Sequence, residues 1–182
     1  MPRTSHRLTT TDRRTPVALE KETVIAHEVS EIIAAYTSKD FHEHLASKVG
    51  SELRSFEVKG TSDGGYEVVS QQAMSVDRLP DIAKKVVKGE VLVTVDEKWS
   101  PADQGGSRRS DMSVKIQGAP VSAAASQNLH ARDGETLSTV RGDITVKIPL
   151  IGNKVKSAAE PYMRKFVELQ AREVSKWIEK NG

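Results

Sequence analysis

The sequence predicts an α+β domain in which a curved antiparallel sheet of about six or seven strands wraps one long C-terminal helix. Three observations carry this. In GDITVKIPLIGNKVKSAAEPYMRKFVELQ, Gly142 to Gln170, apolar residues alternate as in a strand and then, beyond Ile151-Gly152-Asn153, recur at helical spacing. Ahead of that run, alternating segments succeed one another through glycine turns, without the crossover helices that parallel strands need. Near the other end, two short helical patterns follow directly on the first strand.

In chain order, Leu19 to Ala26 (LEKETVIA) reads as the first strand. EVSEIIAAYT follows with Val29, Ile32, Ile33 and Tyr36 at helical spacing, and Thr37-Ser38 ends it. KDFHEHLASKV gives a second short helix with Phe41, Leu45 and Val49 on one side. LRSFEVK (53–59) and YEVVSQQAM (66–74) flank Asp63-Gly64-Gly65, a hairpin signal because glycine tolerates positive φ. The insertion at 76–88 carries Leu79, Ile82, Ala83 and Val86 on one helical face, with Pro80 at its start and Gly89 after it. It reads as a short amphipathic helix, either plain cover for the core or a movable flap.

EVLVTVDEKW (90–99) puts Val91, Val93 and Val95 on one face, and DMSVKIQG does the same with Met112, Val114 and Ile116. In VSAAASQNLH (121–130) the matching set is Val121, Ala123, Ala125, Gln127 and Leu129. TLSTVRGDITVKI (136–148) closes the sheet with Val140, Gly142, Ile144, Val146 and Ile148 together. The final helix carries Val155, Ala159, Tyr162, Phe166, Leu169 and Trp177 in register, widened by Met163, Val167, Val174 and Ile178. A stripe that wide needs a sheet to cover it. Pro161 falls inside the pattern and either kinks the helix or restarts it.

Composition narrows the function classes. With 182 residues, 37% hydrophobic and 29% charged, the chain suits one folded domain. No apolar run approaches the roughly 18 residues of a spanning helix, so an integral membrane protein is not expected. MPRTSHRLTTTDRRTPVA lacks the apolar centre of a secretory signal, which makes a cytoplasmic location the expectation. The absence of cysteine removes disulfides, thiolate metal sites and a cysteine nucleophile. Arg3, Arg7, Arg13 and Arg14 against Asp12 give residues 1–18 a charge of +3 out of a total of +2, so the remainder carries −1. Nucleic-acid binding, which concentrates positive charge on the folded body, is not expected. Residues 1–18 read as a disordered basic tail and 19–182 as the domain.

The order strand, two helices, antiparallel strands, long helix is the helix-grip arrangement. Residues 19–180 resemble an uncharacterised bacterial domain family of the START-like (SRPBCC) superfamily. VSEIIAAYTSKDFHEHL (29–45), DEKW (96–99) and RGDITVKIPLIGNKVKSAAE (141–160) carry the resemblance. It implies a cavity between sheet and C-terminal helix that takes a small apolar or lipid-like molecule.

The residues themselves support a non-catalytic binding domain first. No nucleophile elbow, phosphate-binding glycine loop or dinucleotide fingerprint is present, and no cofactor is expected. His42 and His44 lie two apart, about 200° around a helix, so one ion cannot be held by both; they read as surface residues and no metal is expected. Strand parity puts Glu97 on the covered face with Val93 and Val95. Either the strand end twists it out into solvent, or it is a polar anchor or weak general acid/base candidate in a cavity. Small or polar residues recur at covered positions, and these with their apolar neighbours form the expected ligand lining: Val68, Ser70, Gln72, Val93, Val95, Glu97, Val114, Ala123, Ala125, Gln127, Val140, Ile144, Tyr162, Phe166 and Leu169. A core filled by the large helix residues is the competing packing. Two rival functions stand beside ligand binding: a cyclase-, dehydratase- or hydrolase-type enzyme using Glu97, and a co-chaperone-like interaction module using the wet sheet face, its protein partner unknown.

Overall fold

The computed structural model describes residues 19–87 and 89–182. The basic tail expected at 1–18 lies outside the described residues. Seven strands form one sheet in the order β1-β7-β6-β5-β4-β3-β2, every neighbouring pair antiparallel. They are β1 (Leu19–Ile25), β2 (Ser51–Thr61), β3 (Gly65–Ser75), β4 (Glu90–Trp99), β5 (Arg108–Ile116), β6 (Val121–Arg132) and β7 (Glu135–Val146). The register sets Tyr66, Val68, Ser70, Gln72 and Met74 opposite Trp99, Glu97, Val95, Val93 and Val91, and the pattern continues through Ser110, Met112 and Val114 to Gln127, Ala125 and Ala123. Directly opposed residues share a face, so the covered positions expected from alternation form one continuous concave surface.

The first and last strands in the order, β1 and β2, are joined by helices α1 (Val29–Tyr36) and α2 (Lys39–Val49). That connection must cross from one edge of the sheet to the other, and it does so over one end of the concave face. Ile32, Ile33, Tyr36, Phe41 and Leu45 are buried there against Val68, Trp99 and Leu129. Tyr36 packs its ring 5.8 Å from Phe41 and 5.9 Å from Trp99, within the range of favourable aromatic pairs. Glu28 and Glu31 start α1 with a reciprocal capping box, and Gly50 ends α2 in the left-handed conformation that glycine adopts without strain.

His42 is a correction to the surface reading: it is buried, its Nε2 hydrogen-bonds the Tyr36 carbonyl at 2.8 Å, and its ring lies 4.7 Å from that of Phe56. Burial holds its pKa below the usual value, the Tyr36 carbonyl opposing that only in part. His44 is half-buried and contacts Glu173 Oε2 at 3.0 Å. Glu173 sits on helix α4 (Gly152–Asn181) and is itself buried. Burial would raise its pKa, but hydrogen bonds from His44 and Arg172 and the charges of Lys176 and Lys48 hold it low. This network fastens α2 to α4.

α4 runs unbroken through Pro161. Proline removes the amide that would bond the Ser157 carbonyl, and both residues are exposed, so solvent meets that carbonyl instead. The insertion at 76–88 holds a 3-10 turn (Val76–Arg78) and a single helical turn, α3 (Asp81–Lys84), shorter than the Leu79–Val86 pattern suggested. So short a segment does not propagate a helix without more packing than it has here. α4 lies on β1 and β7 and also touches α1, α2 and α3. Lys156 ties its first turns to β7 through Asp143 at 2.6 Å.

Candidate functional site

The concave face divides into two halves. Over β1 and β7, Leu19 and Val140 are buried against Val167, with Met163 alongside. Over β3, β4 and β5 the inward residues Gln72, Val93, Val95, Met112, Val114 and Ile116 are only half-buried, as are Ala123 and Ala125 of β6. The main sheet contacts of α4 are with β1 and β7, so the inward, mostly aliphatic side chains of β3 to β5 are less covered and form a strip, the groove, beside the helix.

Helical spacing predicts Tyr162 and Phe166 as walls pressed on the sheet, and here the structure corrects the sequence. They are 54% and 38% exposed. Met163 and Val167 take the sheet contact, and since successive helical residues are 100° apart this turns Tyr162 and Phe166 to the flank. That flank continues through half-buried Leu169 and buried Glu173 to Trp177, which packs 5.8 Å from Phe41 of α2. It therefore faces α2 at its far end, while Tyr162 and Phe166 are left largely in solvent. The other expected lining residues are on the concave face: Val68, Ser70, Glu97, Gln127, Val140 and Ile144 buried, Gln72, Val93, Val95, Val114, Ala123 and Ala125 half-buried. At Gly142 an added Cβ would lie 3.1 Å from Ala125 Cβ, so the missing side chain lets β6 and β7 approach closely where the face is deepest.

Where the groove meets the aromatic plug, the lining turns polar. Glu97 is 4% exposed, which removes the solvated reading of this carboxylate. Burial pushes its pKa up to about 7, offset in part by Ser110 and by the Trp99 indole. Ser110 Oγ donates to Glu97 Oε1 at 3.3 Å. The Trp99 Nε1–H, though near enough to act on the charge, is outside hydrogen-bonding geometry and has no protein partner among the described residues. One strand over, Gln127 Nε2 donates to Ser138 Oγ at 2.9 Å and leaves its buried Oε1 without a partner. The Tyr36 hydroxyl completes the cluster: burial raises its pKa, the Gln127 side chain opposes this, and Glu97 adds to it. The result is an uncompensated carboxyl, a free indole N–H and a free amide oxygen at the inner end of an apolar groove.

Sequence reasoning missed Tyr36, Ser110, Ser138 and Met112 as lining. Extending the alternation of Met112 and Val114 back across Asp111 would have placed Ser110 inward; nothing local marks Tyr36, whose position depends on how α1 docks. Among the described residues no group of histidine and carboxylate side chains has metal-site geometry. No helix among them is long and apolar enough to cross a membrane.

Residues 20–178 match the model of a family described as a protein of unknown function, DUF2505. The chain belongs to that family. An uncharacterized protein of Mycobacterium tuberculosis (strain ATCC 25618 / H37Rv), Rv0481c, is 27% identical over 160 residues, covering 84% of this chain and 91% of that one. Among solved structures, TTHA0849 from Thermus thermophilus superposes with a TM-score of 0.57 at 11% identity, over 89% of this chain and 97% of that one. The Zhui aromatase/cyclase from a Streptomyces species gives 0.52 at 10% identity, over 89% and 93%. At such identities the likeness establishes the fold alone. This chain thus has the helix-grip fold: a seven-stranded antiparallel sheet curved around a long C-terminal helix.

Proposed function

We propose that the chain is a binding protein for an apolar, lipid-like small molecule held in the groove beside α4, with one hydrogen-bonding group at the Glu97 end. The observation that carries this is the uncovered half of the concave face. Eight inward side chains of β3 to β6, mostly aliphatic, remain half-exposed beside a helix that stops short of them. Natural interiors are close-packed, so an aliphatic floor left open is completed by something else. The polar inner end adds orientation: a ligand hydroxyl or carbonyl there would meet Trp99 Nε1–H, Gln127 Oε1 or the carboxyl of Glu97. Native mass spectrometry of freshly purified protein, with organic extraction of what it carries, tests the reading. The expected result is a co-purifying apolar molecule that is lost in Val114→Trp, a substitution that fills the groove floor. A protein that carries nothing and binds nothing from a broad apolar panel would sink it.

A second reading is favoured by Glu97 itself. A buried carboxyl titrating near neutrality can give and take a proton on a bound substrate, which would make the groove an active site. Fold relatives such as the aromatase/cyclase make the comparison worth a test, by analogy only. Glu97→Gln separates the two: ligand retention with any turnover abolished supports catalysis, and retained turnover excludes Glu97 from it.

A further inference from the structure

The end of the sheet plugged by α1 and α2 carries a second cavity on its outer side. Its volume is about 460 Å3, and Val29, Ser30 and Ile33 of α1, Tyr66 of β3, the Gly105-Gly106 loop and Arg108 frame it. Val29 and Ile33 on its wall belong to the same buried cluster as Tyr36, Phe41 and Trp99.

Arg108 opens β5 and is 8% exposed. Its Nη1 donates to the Ser100 carbonyl at 2.9 Å, and Nη2 donates to the Ser62 carbonyl at 2.9 Å and Ser62 Oγ at 3.1 Å. The guanidinium carbon stands 5.7 Å from the centre of the Tyr66 ring. All these partners are neutral, and among the described residues no carboxylate pairs with it. A buried cation surrounded only by dipoles is costly. Two carboxylates line the same cavity, and both are engaged elsewhere: Glu28 in the capping box of α1, Glu135 with Arg132 at 3.6 Å. Asp103 is engaged as well, accepting from the amides of Gly105 and Ser107 at 2.9 Å, which fixes the loop opposite α1.

We propose that this cavity binds a small monocarboxylic acid, its carboxylate on the Arg108 guanidinium and its apolar body against Val29, Ile33 and Tyr66. Ser62 takes both hydrogens of Nη2 and Ser100 one of Nη1, so the Nε–H and the second Nη1–H are left to meet a carboxylate oxygen, and the bound anion supplies the charge that these neutral partners do not. Of the other charged groups on the lining, Arg132 pairs with Glu135, which leaves Glu28 to disfavour a second negative charge such as that of a dianionic phosphate. The remaining lining is apolar on the α1 side, which suits an aryl or alkyl body rather than a sugar.

Titration of hydrocinnamate into isotope-labelled protein, followed by amide chemical shifts, tests the proposal, with 3-phenylpropanol as the uncharged counterpart and inorganic phosphate as a second anion. Saturable shifts are expected around 28–34, 105–108 and 131–135, at least about tenfold weaker with the alcohol. Phosphate is expected to bind more weakly than hydrocinnamate. Removing Arg108 risks the fold, so the variant of choice is Ser30→Glu. Ser30 is exposed in the first turn of α1, where an acidic residue is tolerated, and it lines the cavity. That change should leave the melting temperature in place and weaken hydrocinnamate about tenfold, while Ser30→Lys binds at least as well as the parent. Val114→Trp, which closes the groove, should leave this binding intact. No saturable shift at millimolar hydrocinnamate, equal binding of the alcohol, tighter binding of phosphate, indifference to Ser30→Glu or loss in Val114→Trp would each overturn it.

Discussion

The two halves of the concave face are built from the same strand pattern and end in different states. Over β1 and β7 the inward residues, Leu19 and Val140 among them, disappear beneath Met163 and Val167 of α4. Over β3 to β5 the inward residues Val93, Val95 and Val114 have the same apolar character and the same parity, yet remain half-exposed. Alternation therefore tells which way a side chain points and not what meets it. One half is sealed by α4; the other is the half that the proposed ligand would cover.

That contrast can be broken by mutation. Ile144→Ala, in the covered half, removes a buried side chain and should cost about 2–5 kcal/mol in chemical denaturation. Val95→Ala, in the open half, should cost less than about 1 kcal/mol, because its methyls are already half in water. Equal losses at the two positions would show the open half to be packed core after all.

The polar end sharpens the same comparison through pH. Glu97 titrates near 7 in the fold, against a usual value of 4.5. The folded state thus favours the protonated carboxyl. Its contribution is intact below pH 4.5, declines as pH rises toward 7, and is lost above it. Glu97→Gln, which imitates the neutral form, should change little at pH 4 and stabilise by about 3 kcal/mol at pH 8, from the shift between those two values. Stability that falls with the substitution at high pH would mean that the carboxylate has a cationic partner.

Smaller effects are expected where α2 meets α4. Glu173→Gln removes the charge that holds His44, Arg172, Lys48 and Lys176 and should cost about 1–2 kcal/mol, less at high salt for the exposed cations. Smallest of all, Tyr162→Ala should leave the denaturation midpoint almost unchanged, since that ring is mostly in solvent. If it weakens retention of a bound apolar molecule without moving stability, the exposed flank of α4 belongs to the groove.

Much of the fold is legible in the chain, for reasons that lie in particular residues. The period switch across Ile151-Gly152-Asn153 fixes where the sheet ends and α4 begins, because periods of 2 and 3.6 cannot be confused over so long a run. Parity from Val91 to Trp99 puts Glu97 inward, and it is buried there. Parity could not decide between a twisted, solvated strand end and a buried one; that depended on α1, far away in sequence, bringing Tyr36 onto Trp99 at that strand end. The insertion is shorter in its helix than its pattern, because amphipathic spacing states a preference and not the packing that sustains it. His42 departs from its surface reading for a similar reason: its neighbours Phe56 and Tyr36 are brought to it by β2 and α1.

What the sequence determined by itself is therefore local and periodic: the elements, their order, the inward face of each strand and the helix-grip arrangement that follows from them. Tertiary structure decided the azimuth of α4, a rotation of one residue that sets Met163 and Val167 on the sheet and leaves Tyr162 and Phe166 out. It also decided that Arg108 and the first turn of α1 frame one cavity. Those outcomes depend on long-range docking of apolar surfaces, a non-directional force whose optimum is set by the whole fold and written in no short stretch of chain.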